Sequence, residues 1–419
     1  MATSSATALH LGLAGMEDKN TILNPEITFW RSEKPRHTHF VVDYQVIQHA
    51  SPTWGSKLDF PLDKNFDLLR RSVLVTQLSA LKGGDGSARY TDDIGRAMWN
   101  SIKLVSSNTT INTLYPELEH ALEELQKDPV NQWSQLTGKC ETVAELVDRA
   151  KAVQWIWTPV DFYYSKCDGD ALPLVNLVGS TLKIVVDMKA LSDVVVTAIP
   201  GTAHGVSSAP INYMYLYNEV IMLNDDERLV FSRANMTYVY QNYDQNLFTI
   251  PSSAANGSIQ TLDLSFNHPV VDIIVLFRAA SKGAGQTAAN TDADRAYFDF
   301  SGVETTAPYQ GECFQSMQLK LNNNAYWSDT LATPDFFRKY LALTRYGRIP
   351  RKHIYPIPFA LYPPSERATG ELNLSKVDQR KLLVKLPAAG TIVATDVMVF
   401  TRHFNEMTCV SNSIQVSFA

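Results

Sequence analysis

The sequence predicts an all-β protein of two similar domains, and three observations support this. Its 419 residues exceed the usual length of one domain. Many short apolar or alternating runs, such as HFVVDYQVI (39–47) and VVDIIVLF (270–277), are separated by turn residues. Helical patterns between these runs are mostly missing, so a sandwich or barrel is favoured over a parallel α/β fold.

A short segment near the middle of the chain divides these runs into two sets. Residues 200–210, PGTAHGVSSAP, are small and polar and predict an interdomain linker. The first domain is then expected at 25–199 and the second at 211–419. Residues 1–24 start with small polar residues and lack a strand pattern, so we expect an N-terminal arm that becomes ordered only on assembly.

One region of the first domain is predicted to be helical. Residues 115–153 contain three leucines at the spacing i, i+4, i+7, namely Leu118, Leu122 and Leu125. Thr142 and Glu145 have the spacing of a capping box ahead of LVDRAKAV. We therefore expect two helices inserted into the first β domain.

Composition restricts the possible partners and compartments. Apolar residues make up 45% and charged residues 19% of the chain, which is typical of an ordered protein with a core. The net charge is −6 and no run of five Lys or Arg occurs, so direct nucleic-acid binding is not expected. No signal peptide and no apolar stretch of about 18 residues is found. The four scattered cysteines favour a reduced compartment: Cys140, Cys167, Cys313 and Cys409.

Candidate metal and cofactor sites are weak in the sequence. His37 and His39 form an H-x-H pair of the kind that binds metal in cupins, but the accompanying glycine loop, glutamate and later histidine are missing. The acidic cluster 225–227 has the context of a turn between a strand and an amphipathic segment. We therefore predict no metal site and no cofactor.

Candidate catalytic residues are equally weak. Ser375 and Asp378 could join His353 or His403 in a triad, but no nucleophile elbow surrounds Ser375. We therefore expect no enzymatic activity. Four N-x-S/T sequons carry little weight without a secretory signal: Asn108, Asn235, Asn256 and Asn373.

Several stretches together resemble the major capsid proteins of nucleocytoplasmic large DNA viruses and of smaller relatives such as virophages and polinton-like viruses. They occur in the family's order over nearly the whole chain. The stretches are LHLGLAGMEDKNTIL (9–23), NPEITFWRSEKPRHTHF (24–40), LPLVNLVGSTLKIVVD (172–187), NDDERLVF (224–231), FNHPVVDIIVLFR (266–278) and PPSERATGELNLSKVD (363–378). The residues that match the family's motifs are Asn24, Pro25, Ile27, Thr28, Phe29, His268, Pro269, Gly370, Asn373, Ser375 and Asp378. Trp30, Leu374 and Lys376 depart from the usual motif residues.

The resemblance implies two consecutive eight-stranded jelly rolls, each an antiparallel double sheet. It further implies a homotrimer that forms a pseudo-hexagonal capsomer and tiles an icosahedral shell, usually over an internal membrane. Implied partners are further capsomers and minor capsid, penton or membrane-associated virion proteins. The implied location is the virion capsid, assembled in a cytoplasmic or nuclear factory of the host cell.

The last motif block is interpreted as architecture. Pro363 and Pro364 favour an extended approach, and Gly370 can adopt a backbone angle that other residues avoid. We expect a bent main chain here, hydrogen-bonded by the short polar side chains of Asn373, Ser375 and Asp378.

A second hypothesis is a jelly-roll glycan-binding protein or glycosidase. Such sites combine aromatic residues with carboxylates. The best cluster in this chain surrounds Asp161 and consists of Trp155, Trp157, Tyr163 and Tyr164. An aromatic strand packed in the sandwich explains the same cluster.

Overall fold

The computed structural model describes residues 37–83, 88–126, 133–140, 142–196, 206–283, 297–303, 311–365, 367–410 and 413–417. The chain divides into two compact units, Met1–His39 and Phe40–Ala419, and all strands given below belong to the second. The predicted N-terminal arm, most of the predicted linker and five motif residues lie outside the described residues. Those five are Asn24, Pro25, Ile27, Thr28 and Phe29.

The first half of this unit is a sandwich of two antiparallel sheets. One sheet has the order β1-β8-β3-β6 and the other β2-β7-β4-β5. The strands are β1 (Phe40–Gln48), β2 (Lys57–Pro61), β3 (Leu68–Leu78), β4 (Trp99–Ser106), β5 (Thr109–Leu114), β6 (Gln154–Val160), β7 (Leu182–Met188) and β8 (Ile211–Leu223).

The second half repeats this arrangement. Its sheets have the orders β9-β16-β11-β14 and β10-β15-β12-β13. The strands are β9 (Met236–Ile250), β10 (Ile259–Asp263), β11 (Pro269–Ala279), β12 (Ser316–Leu321), β13 (Asn324–Ala325), β14 (Ile354–Pro358), β15 (Arg380–Lys385) and β16 (Thr395–Val410).

Adding eight to each strand number of the first sandwich therefore gives the strand order of the second. Two antiparallel four-stranded sheets with these crossovers form a jelly roll. The predicted fold of two consecutive eight-stranded jelly rolls is confirmed. Three shorter strands join the large sheets: Leu172–Pro173 pairs with β3, Leu372–Asn373 with β11 and Ser413–Val416 with β16. Two separate two-stranded sheets are formed by Arg89–Tyr90 with Val195–Val196 and by Lys82–Gly83 with Val206–Ser208.

Strand β8 differs from its expected position. The sequence assigned residues from 211 onward to the second domain, whereas β8 pairs with β1 and β3 of the first. It supplies Met214, Leu216 and Val220 to that core. An alternating strand pattern reports that one face is buried but carries no information about the partner strand.

The predicted helical insertion is present in the first roll. Thr142 caps the helix that follows it, since the Glu145 backbone N–H donates to its hydroxyl at 3.4 Å. A further single-turn helix lies between the two expected helices. The helices are α1 (Ile94–Ala97), α2 (Pro116–Gln126), α3 (Trp133–Leu136), α4 (Val143–Ala150), α5 (Leu191–Val194), α6 (Asp225–Arg233), α7 (Ala280–Gly283) and α8 (Ala342–Tyr346).

Tighter and wider helical turns complete the structure. A π-helical segment, Phe336–Leu341, leads into α8. The 3₁₀ turns are Tyr163–Ser165, Asp168–Asp170, Leu174–Leu177 and Leu374–Lys376. Within the described residues, every helix is too short or too polar to cross a bilayer.

The apolar core has two parts, and one of them extends across both rolls. The second roll has its own core between its sheets, which includes Ile273, Val275 and Phe277 of β11. Ile274 and Leu276 point to the other side of β11 and join the core of the first roll. Strand β11 is therefore buried on both faces, which explains its continuous apolar run.

A buried ion pair stabilises the large sheet of the second roll. Arg402 on β16 donates from Nε to Asp272 Oδ1 on β11 at 3.0 Å, and its Nη2 contacts the other carboxylate oxygen. The Tyr346 hydroxyl donates to the same carboxylate. Because all three groups are buried, removal of the carboxylate leaves a guanidinium and a hydroxyl without their partner.

We predict that Asp272→Ala lowers the free energy of unfolding by about 3 to 5 kcal/mol, because it leaves a buried charge unpaired. Urea unfolding at one protein concentration measures this. Asp263→Ala is the control, because Asp263 is exposed. Its ion pair with Lys381, at 3.9 Å, is a surface contact that contributes little to stability. Equal losses for both variants would contradict the predicted role of the Asp272 pair.

Candidate functional site

The interface between the two rolls contains a buried polar network. It lies on the outer face of the sheet β9-β16-β11-β14, the face turned away from the second roll's own core. The apolar part of this face packs with the core of the first roll through Ile274, Leu276, Ile354, Met398 and Phe400. A hydrogen bond reinforces this packing, since the Tyr240 hydroxyl donates to the backbone carbonyl of Ile111 at 2.7 Å.

A hydrogen-bonded chain crosses this interface through His120 of α2. Its Nδ1 lies 2.7 Å from Asp93 Oδ2 in the first roll. Lys352 of the second roll donates from Nζ to His120 Nε2 at 2.5 Å. The imidazole also stacks on Phe298, with ring centroids 4.2 Å apart. His120 therefore accepts at Nε2 and donates at Nδ1, which is the tautomer of a neutral ring.

The charges around His120 follow from burial and from their neighbours. Burial and the charge of Lys352 lower the pKa of His120 to about 3. Burial raises the pKa of Glu124, but the positive charges around it together outweigh this effect and bring that pKa to about 2. The largest of these contributions comes from the ammonium of Lys139, 3.0 Å from the carboxylate. Burial also lowers the pKa of Lys352 to about 8. At neutral pH, His120 is therefore neutral and Glu124 is ionised.

A second cluster joins the rolls beside the first. Glu117 of α2 accepts from Arg278 Nη1 at 3.4 Å and from the Tyr297 hydroxyl. Lys189 of the first roll lies over the Tyr297 ring, with Nζ 3.7 Å from its centroid. These groups hold helix α2 between the two sandwiches.

The motif blocks at His268-Pro269 and at 363–378 meet in the structure. Pro269 and Val270 pair with Asn373 and Leu372 as antiparallel strands. The Leu374 backbone N–H then donates to His268 O at 3.2 Å. Leu374 itself is buried in the core of the second roll. Two stretches that are distant in sequence thus form one corner of the second roll.

The geometry within the 363–378 block agrees in part with the expected hydrogen bonds. Gly370 has φ +132°, a conformation that other residues rarely adopt. Asn373 Oδ1 accepts from the backbone N–H of Ser375 at 3.0 Å and from its hydroxyl at 2.6 Å. At Asp378 the backbone N–H makes the contact, donating to Asn322 Oδ1 at 3.0 Å. The bend is therefore held by two asparagines, one of which the motif did not include.

The other sequence candidates separate in space. Along the outer face of the first roll, Trp155 stacks on Tyr215, and Trp157 packs against Tyr217 with the rings tilted by 45°. Tyr163, by contrast, is buried at the interface between the rolls. The best aromatic cluster of the glycan hypothesis is therefore divided between two environments.

The acidic residues 225–227 form the first turn of helix α6, behind the N-cap residue Asn224. Carboxylates in this position interact favourably with the helix dipole. This agrees with the structural interpretation of the cluster. His37 and His39 are exposed.

A group that the sequence did not reveal lies in the second roll. Asp244 of β9, His268 and His403 of β16 place one potential metal-ligand atom each within 4.8 Å of one another. The two imidazole rings stack with centroids 4.4 Å apart. In the sequence, His403 is only a triad candidate and His268 only a motif residue, because no spacing in the sequence links these two histidines with Asp244.

Two apolar surfaces of the second unit remain exposed. On the outer face of the first roll, Tyr44, Trp155 and Tyr213 are 67%, 48% and 45% exposed. On the second roll, one group of exposed apolar residues follows strands β13 and β14. They are Tyr326, Leu331, Tyr340, Leu343, Leu361 and Tyr362.

Comparison with known proteins agrees with this architecture. The family described as "Major capsid protein N-terminus" matches residues 28–243, and that described as "Large eukaryotic DNA virus major capsid protein" matches residues 227–416. The major capsid protein of Pyramimonas orientalis virus is 24% identical over 404 residues and covers 95% of each chain. That of Paramecium bursaria Chlorella virus 1 is 24% identical over 394 residues and covers 88% of this chain and 84% of the relative.

Solved structures show the same fold. The PBCV-1 virus capsid matches with a TM-score of 0.77 at 19% identity, over 94% of this chain and all of that one. The Faustovirus major capsid protein matches with a TM-score of 0.69 at 12% identity, over 96% of each chain. The fold and these matches define a viral capsid protein with two jelly rolls. The chain belongs to the major capsid protein family of large eukaryotic DNA viruses.

We predict that acid weakens the interface between the rolls. In the unfolded chain His120 binds a proton below about pH 6.5, whereas in the folded chain it stays neutral until the pH approaches 3. Between these two pH values, acid therefore favours the unfolded state. Glu124 adds stability above its ordinary pKa of 4.5, and this is lost as the pH falls towards 2. Both groups therefore lower the melting temperature on acidification, which calorimetry from pH 7 to 3 measures. Glu124→Gln is expected to flatten the part of the curve below pH 4.5.

We predict that Asn373→Ala costs about 1 kcal/mol, as loss of a side-chain cap does. Asp378→Ala is expected to change stability little, because its contact is made by the backbone. Asn322→Ala is the matched positive control, since it removes the oxygen that accepts from the backbone N–H of Asp378. Urea unfolding that ranks Asp378→Ala as the most damaging of the three would contradict this assignment.

Proposed function

We propose that three copies of this capsid protein form a closed ring, in which the contact between the two rolls of one chain is repeated between chains. One observation carries the proposal. The outer face of β9-β16-β11-β14 is covered by the first roll, whereas the equivalent face of β1-β8-β3-β6 is exposed in the single chain.

The exposed face of the first roll is termed the acceptor face. It consists of Tyr44, Val46, Trp155, Trp157, Tyr213, Tyr215 and Tyr217. Cross-strand pairing places these side chains on one side of the sheet, as Val46 pairs with Tyr217 and Trp157 and Tyr215 both pair with Val75. Large exposed aromatic surfaces of this kind are typical of protein–protein interfaces.

The elements that cover the second roll within the chain come from one part of the first. They are strand β5, helix α2 directly after it, and the turn Tyr163–Ser165 after β6. Tyr163 packs against Tyr240, and Asn112 Nδ2 donates to Gln241 O at 3.1 Å. Their equivalents in the second roll follow β13 and β14, because the strand order repeats.

These equivalent elements are exposed and form the donor face. It consists of Tyr326, Leu331, Tyr340, Leu343, Leu361 and Tyr362. The chain therefore has one unused acceptor face and one unused donor face, on different rolls. Association of unlike faces is heterologous and gives either a closed ring or an open fibre. Three two-roll chains supply six similar positions, which supports a closed pseudo-hexagonal capsomer.

The same geometry supports a purely structural role. The Ser375 hydroxyl is engaged by Asn373, and His403 lies beside Asp244. The glycan-binding alternative receives no support from the comparisons, and the acceptor face accounts for Trp155 and Trp157. We therefore propose that the protein has no catalytic activity.

We further propose contacts of the assembled shell with minor capsid, penton or membrane-associated proteins, and assembly in a cytoplasmic or nuclear factory. Family membership supports both proposals. The net charge of −6 supports a shell that does not bind the genome directly.

We predict that charge on either face prevents assembly. The wild-type protein is expected at three times the chain mass of 46.8 kDa in mass photometry. Trp155→Asp on the acceptor face, or Tyr340→Asp on the donor face, is expected to give folded monomers because a buried carboxylate is costly. Ile259→Asp is the control, since Ile259 is exposed and apolar but belongs to neither face. A wild-type monomer at micromolar concentration would contradict the proposal.

Mixing the two defective variants tests the unlike faces directly. Trp155→Asp retains a donor face and Tyr340→Asp retains an acceptor face, so the mixture is expected to form a one-to-one dimer. If each face bound a copy of itself instead, each variant alone would dimerise through its intact face. Mixing the two variants would then produce no additional dimer.

A further inference from the structure

We propose that Asp244, His268 and His403 bind a divalent transition-metal ion of the Zn²⁺ type. The three residues lie at one end of the second roll, on the face of β9 and β16 opposite to the roll–roll interface. Cross-strand pairing supports this placement: Asp244 pairs with Thr401 and Asn242 with His403, while Tyr243 and Arg402 occupy the other face. The inference concerns the second roll alone and does not depend on the proposed trimer.

The distances suit a metal after a small adjustment of side chains. His403 Nδ1 lies 3.5 Å and His268 Nε2 lies 4.0 Å from Asp244 Oδ2. Ligands bound at about 2.0 to 2.2 Å in tetrahedral geometry lie roughly 3.3 to 3.6 Å apart. One pair therefore fits already, and the remaining distances shorten by about 1 Å through rotation of the partly exposed side chains of Asp244 and His268.

Buried polar atoms around the group provide an independent observation. His403 is 1% exposed, and its Nδ1 makes no hydrogen bond to the described residues. The same holds for Asn242 Oδ1 and Thr401 Oγ1, which flank it on the same face of the sheet. Such atoms are costly to bury unsatisfied. Three of them at adjacent register positions indicate a site for a bound ligand.

The donor set selects the class of ion. Two imidazoles and one carboxylate suit Zn²⁺ and similar transition metals, whereas Ca²⁺ and Mg²⁺ require oxygen ligands almost exclusively. Asp244 is 39% exposed, which leaves a path for the ion to enter and room for a water ligand.

A metal here would join three parts of the second roll. Asp244 is on β9, His403 is on β16, and His268 directly precedes β11 and carries the carbonyl that accepts from Leu374. Binding would therefore stabilise the sheet and the motif corner together, because an ion that binds only the folded state raises its stability.

The experiment measures Zn²⁺ binding to the full chain after removal of metals with a chelator. Calorimetric titration is expected to give one ion per chain, and melting temperature is expected to rise with Zn²⁺. Asp244→Asn and His403→Gln are each expected to weaken binding at least about tenfold, and to remove the Zn²⁺-dependent rise. His37→Gln/His39→Gln is the control, since this exposed pair is the other histidine cluster that the sequence suggested.

Three results would overturn the proposal: no binding by the wild-type chain, unchanged binding by Asp244→Asn, or loss of binding in the His37/His39 control. If His403→Gln does not fold, Asp244→Asn decides, because Asp244 is half-exposed. Mass photometry of the same samples separates this result from the trimer proposal, since metal binding is expected in trimers and monomers alike.

Discussion

Burial of the outer face of the second roll's large sheet is the constraint on which the structure depends. Strand β11 is apolar on both sides, so one sandwich cannot cover it alone. Ile274 and Leu276 are buried only because the first roll and helix α2 pack against them. This makes the two rolls one hydrophobic unit, and it explains why the helical insertion lies between them and not on an exposed edge.

The polar groups within this interface determine how the rolls are oriented. A buried charge is tolerated when it is paired and hydrogen-bonded, and is costly otherwise. His120 between Asp93 and Lys352, and Glu117 between Arg278 and Tyr297, satisfy this condition in the observed docking of the rolls. A rotation or slip of one roll would separate these groups, so apolar packing supplies affinity and the ionic pairs supply specificity.

In the proposed ring, the contact between the two rolls of one chain is repeated between unlike faces of neighbouring chains. The strand order repeats between rolls, but the exposure of equivalent faces does not. The acceptor face carries aromatic residues that are half-buried by their neighbours, such as Tyr215 and Trp157, and the donor face carries Tyr340 and Leu343 on the helical segment after β13. Family membership shows a capsid protein, and this pairing of unlike faces is a separate observation that supports the proposed capsomer.

The sequence alone determined the β class, the division into two halves, the cap at Thr142 and the glycine conformation at 370, because period, capping and turn chemistry are local properties. Only the tertiary structure decided the partners. Strand β8 joined the first roll, Asn322 replaced the expected contact of Asp378, and Asp244, His268 and His403 came together. Contacts between residues far apart in the chain leave no periodic signal, so they become visible only when the sheets are assembled.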